Sequence, residues 1–142
     1  MAIVISFANQ KGGVGKTTSA VNIAASLGVL GYKVLLVDLD PQGNATSGVG
    51  IMKKSLKVTV FDMLTTDASA DSVTVKTKYD NLSVIPAHTT LARAEYELGD
   101  VENGEYVMKK KLDAVRAKYD YIIIDCPPSL GMLTVKALSV SD

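Results

Sequence analysis

The chain has 142 residues, of which 47% are hydrophobic and 21% are charged, enough for one compact domain with a sizeable core. Its 15 basic and 15 acidic residues give a net charge of zero, so the overall charge does not indicate a nucleic acid or an anionic membrane as partner. A single cysteine excludes a disulfide framework, and no apolar run approaches the roughly 20 residues of a membrane span. Because no signal peptide is recognisable, we expect a cytoplasmic protein.

Four apolar runs with the composition of strands alternate with helical patterns along the chain. These runs are Ile3–Ala8, Lys33–Leu39, Leu82–Ala87 and Tyr121–Asp125. The first, second and fourth are continuously apolar, which is typical of strands that are buried on both faces in a parallel sheet. The alternation predicts an α/β fold with an open parallel sheet and helices on both faces.

Apolar residues at helical spacing predict four helices between and after these strands. The first contains Ala20, Ala24, Leu27 and Leu30 and is expected to end at Gly31, and the others are predicted around Leu91–Leu98, Glu105–Tyr119 and Ser129–Val140. The stretch Pro41–Leu56 is rich in Gly, Ser and Asn and is predicted to be a long loop. Loops of that length inside a compact domain are usually functional.

The segment Asn9–Thr18, NQKGGVGKTT, lies between the first predicted strand and the first helix. It departs from the phosphate-binding pattern G-x-x-x-x-G-K-[ST], because Gln10 replaces the first glycine and a second lysine, Lys11, precedes the glycine pair. Glycines let successive backbone N–H groups point at one anion, and the helix N-terminus adds partial positive charge. Lys16 can reach terminal phosphates and the Thr17 hydroxyl can ligate Mg²⁺, so the segment predicts a phosphate-binding loop.

Acidic residues stand at the ends of two predicted strands. Asp38 and Asp40 close the run VDLD, and Asp125 closes YIIID. An acid at the carboxyl end of a buried strand lies at the ligand-binding edge of the sheet, where it can hold Mg²⁺ directly or through water. Taken alone, Asp125 is equally compatible with a surface acid, and its significance comes from its combination with the phosphate-binding loop.

Three motifs in one order carry a family resemblance. KGGVGKTT, VDLDPQGNATSG and YIIIDCPPSLG, together with LARAEYEL at Leu91–Leu98, resemble the ParA/Soj chromosome- and plasmid-partitioning ATPases. These belong to the MinD/ParA group with a deviant Walker A motif, and the resemblance runs from Ile3 to Asp142. It implies a P-loop ATPase that binds ATP and Mg²⁺ and dimerises on ATP.

The resemblance implies roles for two lysines and one acid. Lys11 matches the signature lysine of the deviant motif, which crosses the dimer interface to the phosphates of the partner's ATP. Lys16 matches the lysine that binds phosphates in its own subunit, and Asp40 matches the acid that orients the attacking water. Phosphoryl transfer needs positive charge on the triphosphate oxygens, so a lysine supplied by a partner makes hydrolysis conditional on dimerisation.

The resemblance also implies which residues hold the nucleotide and the metal. Thr17 matches the Mg²⁺ ligand, Asp125 matches the Walker B acid that acts on Mg²⁺ through its water shell, and Asp38 is placed close to the metal. The positions implied to bind ATP are Gly12, Gly13, Val14, Gly15, Lys16, Thr17 and Thr18, with Thr18 near the α-phosphate.

The family's partners are non-specific DNA, bound by the ATP dimer, and a ParB-type centromere-binding protein that stimulates hydrolysis; no membrane partner is implied.

Family members continue well beyond the segment that matches Asp142. We therefore expect residues 1–142 to form the N-terminal part of a ParA-like domain, incomplete at its C-terminus and without most of the adenine pocket and the main DNA-binding surface. A full-length protein would be associated with the nucleoid. Ile3–Ala8 would then be an exposed apolar edge that favours self-association.

Other interpretations remain open at this point. The chain could be a truncated, non-catalytic fragment that binds nucleotide or phosphate, or a P-loop small-molecule kinase or ligase, which Lys11 and the DLDPQGN motif disfavour. Cys126 and His88 are interpreted as a core residue and a loop residue, because no base and orienting partner are recognisable. The lysines at 109–111 are interpreted as a solvated helix face with, at most, a weak DNA contact.

Overall fold

The structure is a computed structural model that describes residues 1–13, 15–93 and 105–142. The strands are β1 (Ile3–Phe7), β2 (Val34–Asp38), β3 (Val75–Lys76), β4 (Leu82–Ile85) and β5 (Tyr121–Asp125). The α-helices are α1 (Lys16–Val29), α2 (Asn44–Gly48), α3 (Val60–Thr65), α4 (Ala70–Val73), α5 (Glu105–Asp113) and α6 (Met132–Val140). Short 3₁₀ helices lie at Lys53–Ser55, Thr89–Arg93 and Arg116–Lys118.

The strands form one sheet in the order β1-β5-β2-β4-β3. All pairs are parallel except β3 with β4, which is antiparallel, so the predicted open parallel sheet is confirmed with a short antiparallel edge added. Phe7 is opposite Asp125, and Asp125 is in turn opposite Asp38. The carboxyl ends of the three strands that carry the predicted site are therefore level with one another.

Helices cover both faces of the sheet, as predicted. Successive side chains of a strand point to opposite faces, and in β2 Leu35 and Val37 join one hydrophobic cluster while Val34 and Leu36 join the other. The larger cluster lies under α3 to α6, and the smaller one lies under α1 and α2. Burial of β2 on both faces explains why its sequence is continuously apolar.

Small residues let α1 lie close to the sheet. Its buried positions are Ala20, Ala24 and Gly28. A Cβ atom on Gly28 would come within 2.1 Å of the carbonyl oxygen of Asp80, a contact that leaves room for glycine only. The helix ends at Val29, two residues before Gly31, which has a φ of 97° and ends the helix as the sequence predicted.

The structure corrects several predicted boundaries. The stretch Pro41–Leu56, predicted to be a loop, contains α2 and a 3₁₀ helix. The last predicted helix begins at Met132 and not at Ser129, and the one before it ends at Asp113 and is followed by a 3₁₀ turn. Of the helix predicted around Leu91–Leu98, residues 94–98 lie outside the described residues.

One edge of the sheet is formed by β1, as the sequence predicted. Ile3 and Ile5 are 49% and 38% exposed there. The backbone N–H of Val4 donates to the Asp142 carboxylate (2.8 Å), and the Asp142 N–H donates to the Val4 carbonyl (2.9 Å). Within the described parts of the chain, none of the helices has the length and apolar character needed to cross a membrane.

Candidate functional site

The loop between β1 and α1 has the backbone geometry of an anion-binding loop. Gly13 and Gly15 have φ values of 73° and 85°, a region in which side chains are strained, and Gly15 directly precedes α1. The first turn of α1 carries no acidic residue, and no side chain of the described residues caps it. Its N–H groups are therefore available to an anion. Val14 lies outside the described residues.

Beneath the loop, three predicted site residues contact one another. The Lys16 ammonium is ion-paired with the Asp125 carboxylate. The Thr17 hydroxyl donates to the other oxygen of Asp125 (2.8 Å), and the Lys16 ammonium also lies 3.2 Å from the Thr17 oxygen. Burial raises the pKa of Asp125 above its ordinary value, although the hydrogen bonds from Lys16 and Thr17 oppose that shift. These two partners thus offset part of the cost of removing the Asp125 carboxylate from water.

A cavity of about 320 Å³ opens above this cluster. Its lining includes the predicted site residues Lys11, Gly12, Gly13, Gly15, Lys16, Thr17, Thr18 and Asp40. Gln42, Asn44 and Pro128 complete the lining and were not assigned from the sequence. Their signal was present in the motifs DPQGN and CPPS, where they stand two to four positions after the acids Asp40 and Asp125.

Asp40 lies on the wall of this cavity, in a tight turn. Its carboxylate accepts a hydrogen bond from the Gln42 N–H (3.0 Å), and its carbonyl accepts one from the Gly43 N–H (2.8 Å). Gly43 has a φ of 66° and precedes α2, and a Cβ atom there would lie 3.0 Å from the Ala87 carbonyl oxygen. The turn therefore requires glycine at this position, and it places Asp40 opposite the phosphate-binding loop.

Asp38 lies behind the cavity and is not one of the described residues that line it. Its side chain is fully buried and accepts hydrogen bonds from the Asp40 N–H (3.0 Å), the Thr46 N–H (2.9 Å) and the Thr46 hydroxyl (2.7 Å). Burial raises the pKa of Asp38 to about 6, although these hydrogen bonds oppose the shift. The proximity of Asp38 to a metal stays a prediction.

The donor set fits a phosphate-bound magnesium ion. No group of three or more histidine, cysteine or acidic side chains within the described ranges could enclose a metal ion. Mg²⁺ usually keeps several waters and is bound through one or two protein oxygens together with substrate phosphates. The adjacent Thr17 hydroxyl and Asp125 carboxylate, below a glycine-rich loop, are suited to that mode of binding.

The structure confirms the interpretation of Cys126 as a core residue. The thiol is fully buried, and burial next to the Asp125 carboxylate raises the pKa of Cys126 to about 12, which keeps it protonated and unreactive. His88 is half-buried, and its Nδ1 lies 3.3 Å from the Thr89 hydroxyl. Neither residue belongs to the described lining of the cavity.

The sheet is mostly parallel, a glycine-rich loop followed by Lys-Thr lies between its first strand and its first helix, and acids stand at the ends of two neighbouring strands. Together these features define a P-loop nucleoside triphosphatase fold. Comparison with known proteins gives the family. The AAA domain family matches residues 2–142. The chain therefore belongs to this family, and within it to the ParA/Soj partitioning ATPases, which its relatives show.

Two curated relatives and one solved structure illustrate the similarity. The chain is 54% identical over 142 residues to the sporulation initiation inhibitor protein Soj of Bacillus subtilis and covers 56% of it. It is 45% identical over 141 residues to the chromosome partitioning protein ParA of Caulobacter vibrioides, with coverage of 98% of this chain and 53% of that protein. A cobyrinic acid a,c-diamide synthase from Mycobacterium smegmatis, solved with an ATP analogue and magnesium, superimposes with a TM-score of 0.95 at 41% identity over 99% of this chain and 57% of that one. The chain thus spans about half the length of the relatives that it matches.

Proposed function

We propose that this chain is the nucleotide-binding part of a Mg²⁺-dependent ATPase that acts as an ATP-driven dimer switch, as in ParA/Soj proteins. The observation that carries the proposal is the contact of Lys16, Thr17 and Asp125 beneath a cavity that Lys11 and Asp40 also line. Because the chain spans about half the length of its relatives, the activity, substrates and partners of the whole protein are part of this proposal.

The phosphate-binding loop supplies the donors for a triphosphate. Gly12, Gly13, Gly15 and Thr18 line the cavity, and the uncapped N-terminus of α1 leaves backbone N–H groups available to an anion there. Lys16 is ion-paired at the cavity floor and is the donor for the terminal phosphates. In this role Lys16 exchanges its contact with Asp125 for phosphate oxygens, and the Asp125 carboxylate then becomes available to a metal ion and its water shell.

A Mg²⁺ ion held in this site would offset the negative charge that develops on the phosphate oxygens. Thr17 would ligate it through its hydroxyl, and Asp125 would hold it through water. These two side chains already form a hydrogen bond, so their oxygens are placed for one small cation. Asp38 is buried behind them, where its oxygens accept hydrogen bonds from Asp40 and Thr46, and it is assigned to the surroundings of the metal.

Hydrolysis requires a residue that orients water and a positive charge on the phosphates. Asp40 on the cavity wall is assigned the first role. Lys11 has an exposed side chain at the same cavity and is assigned to the phosphates of a partner subunit's nucleotide. ATP binding and dimerisation are then one linked equilibrium, because two Lys11 ammonium groups repel each other unless phosphates lie between them.

The partners proposed for the whole protein are a second copy of itself, a ParB-type centromere-binding protein and non-specific DNA. These partners are proposed from the similarity to proteins named for chromosome partitioning. The compartment proposed is the cytoplasm, with nucleoid association for a full-length protein. A membrane is not proposed as a partner.

Two further candidate functions differ in their chemistry from the partitioning ATPase. The similarity to a cobyrinic acid a,c-diamide synthase favours, as a second enzyme candidate, a P-loop synthetase that acts on a small carboxylic acid. A non-enzyme candidate is a polypeptide that binds phosphate or nucleotide without turnover, since the described cavity lining contains the residues of the phosphate-binding loop. ATP turnover that rises with DNA and with a ParB-type peptide would favour the partitioning ATPase over both.

The deciding experiment compares three lysine variants. Lys11→Ala is expected to bind ATP like the wild type but to lose hydrolysis and the ATP-dependent dimer, whereas Lys16→Ala is expected to lose ATP binding. Lys54→Ala removes an exposed lysine outside the cavity lining and is the control. Turnover and sedimentation are measured with and without Mg²⁺ and ATP, and ATP binding is measured directly in each protein. Unchanged turnover in Lys11→Ala would refute the role of that lysine, and wild-type ATP binding without turnover would favour the fragment.

A further inference from the structure

We propose that Asp38 and Thr46 are positioning residues that hold Asp40 on the wall of the nucleotide cavity. This inference rests on the proposed function, because the task of Asp40 is defined there. The hydrogen bonds that join Asp38, Asp40, Thr46 and Ala87 are called the latch. The position of Asp40, the water-orienting acid, therefore depends on side chains outside the described lining of the cavity.

The carboxylate of Asp38 joins the two ends of one segment. One of its oxygens accepts the Asp40 N–H at the start of the segment, and the other accepts the Thr46 N–H and hydroxyl inside α2. Between these points lie Gln42 and Asn44, which line the cavity together with Asp40. A single buried carboxylate therefore fixes the backbone of the whole cavity-lining segment.

The Thr46 hydroxyl extends the latch to a second strand. It donates to Asp38 and accepts a hydrogen bond from the Ala87 N–H (3.0 Å), just after β4. Ala87 is fully buried, and its carbonyl oxygen is close enough to Gly43 to exclude a side chain there. The segment is thus held from β2 through Asp38 and from β4 through Ala87.

Loss of the Thr46 hydroxyl would leave the buried Ala87 N–H without its partner and would remove one of the three hydrogen bonds to the Asp38 carboxylate. Valine has nearly the shape of threonine, but it cannot donate to the Asp38 carboxylate or accept from the Ala87 N–H. Unpaired buried polar groups are costly, so the segment would shift until water or other groups reach them. Such a shift moves Asp40, whereas Lys16 and Thr17 lie on α1 and keep their positions.

These contacts predict a selective effect on turnover. Displacement of a catalytic group by about 1 Å can lower a rate up to roughly 100-fold, so kcat in Thr46→Val is expected to fall between about 10-fold and 100-fold. The dissociation constant for ATP is expected to change by less than about threefold, because phosphate binding depends on the loop before α1. Thr46→Ser keeps the hydroxyl and is expected to restore kcat to within about threefold of the wild type.

The experiment measures kcat, ATP binding and amide hydrogen exchange in the full chain for the wild type, Thr46→Val, Thr46→Ser and Thr74→Val. Thr74 directly follows α4, donates its hydroxyl to the Ala70 carbonyl and is the matched control. A drop of kcat that serine rescues, with ATP binding kept and faster exchange at the amides of Asp40 and Ala87, supports the latch. Equal kcat in the wild type and Thr46→Val, or equal defects in the valine and serine variants, overturns it.

Two further measurements keep the proposal falsifiable if Thr46→Val does not fold or if the wild type shows no turnover. The amides of Asp40, Thr46 and Ala87 must exchange more slowly in the wild type than the amide of the exposed Lys54, and equally fast exchange overturns the latch. Asp38→Asn keeps one acceptor oxygen but turns an amide N–H₂ toward a backbone donor, so faster exchange at Asp40 or Thr46 is expected. Absence of wild-type turnover contradicts the proposed function, whereas amide exchange decides on the latch itself.

Discussion

Lys16 at the start of α1 is ion-paired with Asp125 at the end of β5, although 109 positions separate them in the chain. The Lys16 side chain is 10% exposed and that of Asp125 is fully buried. A charge pair with so little access to water depends on both partners, because either one alone is a poorly solvated charge. The pair therefore links the stability of the fold to the chemistry of the cavity.

The effects of removing the two partners of this pair are expected to be coupled and not additive. Lys16→Met or Asp125→Leu alone is expected to lower the free energy of unfolding by about 3 kcal/mol, because each leaves an uncompensated buried charge. The double variant is expected to be less destabilised than the sum of the single variants. Urea unfolding of the four proteins gives this coupling energy, and additive effects would show that the pair is not coupled.

Asp38 is expected to make stability depend on pH. Its pKa is raised from 3.8 to about 6 in the fold, so the folded state holds a proton that the unfolded state has already lost between these pH values. Stability from this group is complete below pH 3.8 and is lost as the pH rises through about 6. The loss is about 3 kcal/mol relative to Asp38→Asn, which does not titrate. Parallel pH profiles for the two proteins, measured by urea unfolding, would contradict this.

Gly28 is expected to be irreplaceable by alanine. In an exposed helix, alanine would stabilise by roughly 1 kcal/mol, but here its Cβ atom would meet the Asp80 carbonyl oxygen at 2.1 Å. Gly28→Ala is therefore expected to lower the free energy of unfolding by about 1 to 3 kcal/mol. Gly48→Ala is the control, since its nearest neighbour is a Val21 methyl group at 3.3 Å. A thermal melt that shows equal or higher stability for Gly28→Ala would contradict the close contact.

The edge formed by β1 is expected to promote self-association without nucleotide. Ile3 and Ile5 are exposed there and offer an apolar surface to a second copy, although Val4 between them is already paired with Asp142, and a charge at Ile5 opposes such a contact. Ile5→Lys is expected to shift the protein toward monomer, whereas Val29→Lys, at an exposed apolar position of α1, is not. Sedimentation velocity distinguishes these outcomes. A stable wild-type monomer at high concentration would count against association through this edge.

The sequence predicted the fold where the pattern was long and local. Apolar runs identified the four parallel strands, and the pattern was clearest in β2 and β5, because burial on both faces leaves few polar positions in them. The strand Val75–Lys76 was missed, since two residues are too few to form a pattern. The helix Asn44–Gly48 was predicted as part of a loop because its residues favour turns. Here the hydrogen bonds of Thr46 with Asp38 outweigh local propensity.

Most of the cavity lining could be predicted, because the motifs that carry it are contiguous in sequence. The family motifs identified Lys11, Lys16 and Asp40, and all three line one cavity. The bond between the Thr46 hydroxyl and the Ala87 N–H could not be predicted, because it joins residues 41 positions apart with no recognisable motif at either end. The roles of the site residues in catalysis stay predictions.

The level arrangement of Phe7, Asp125 and Asp38 across three parallel strands has a consequence for insertions and deletions. Loss of one residue from the middle of β5 would leave its apolar composition almost intact. Side chains alternate between faces along a strand, so the shift would turn Asp125 to the opposite face of the sheet and separate it from Lys16. Substitutions along β5 can therefore be tolerated where a change in its length cannot.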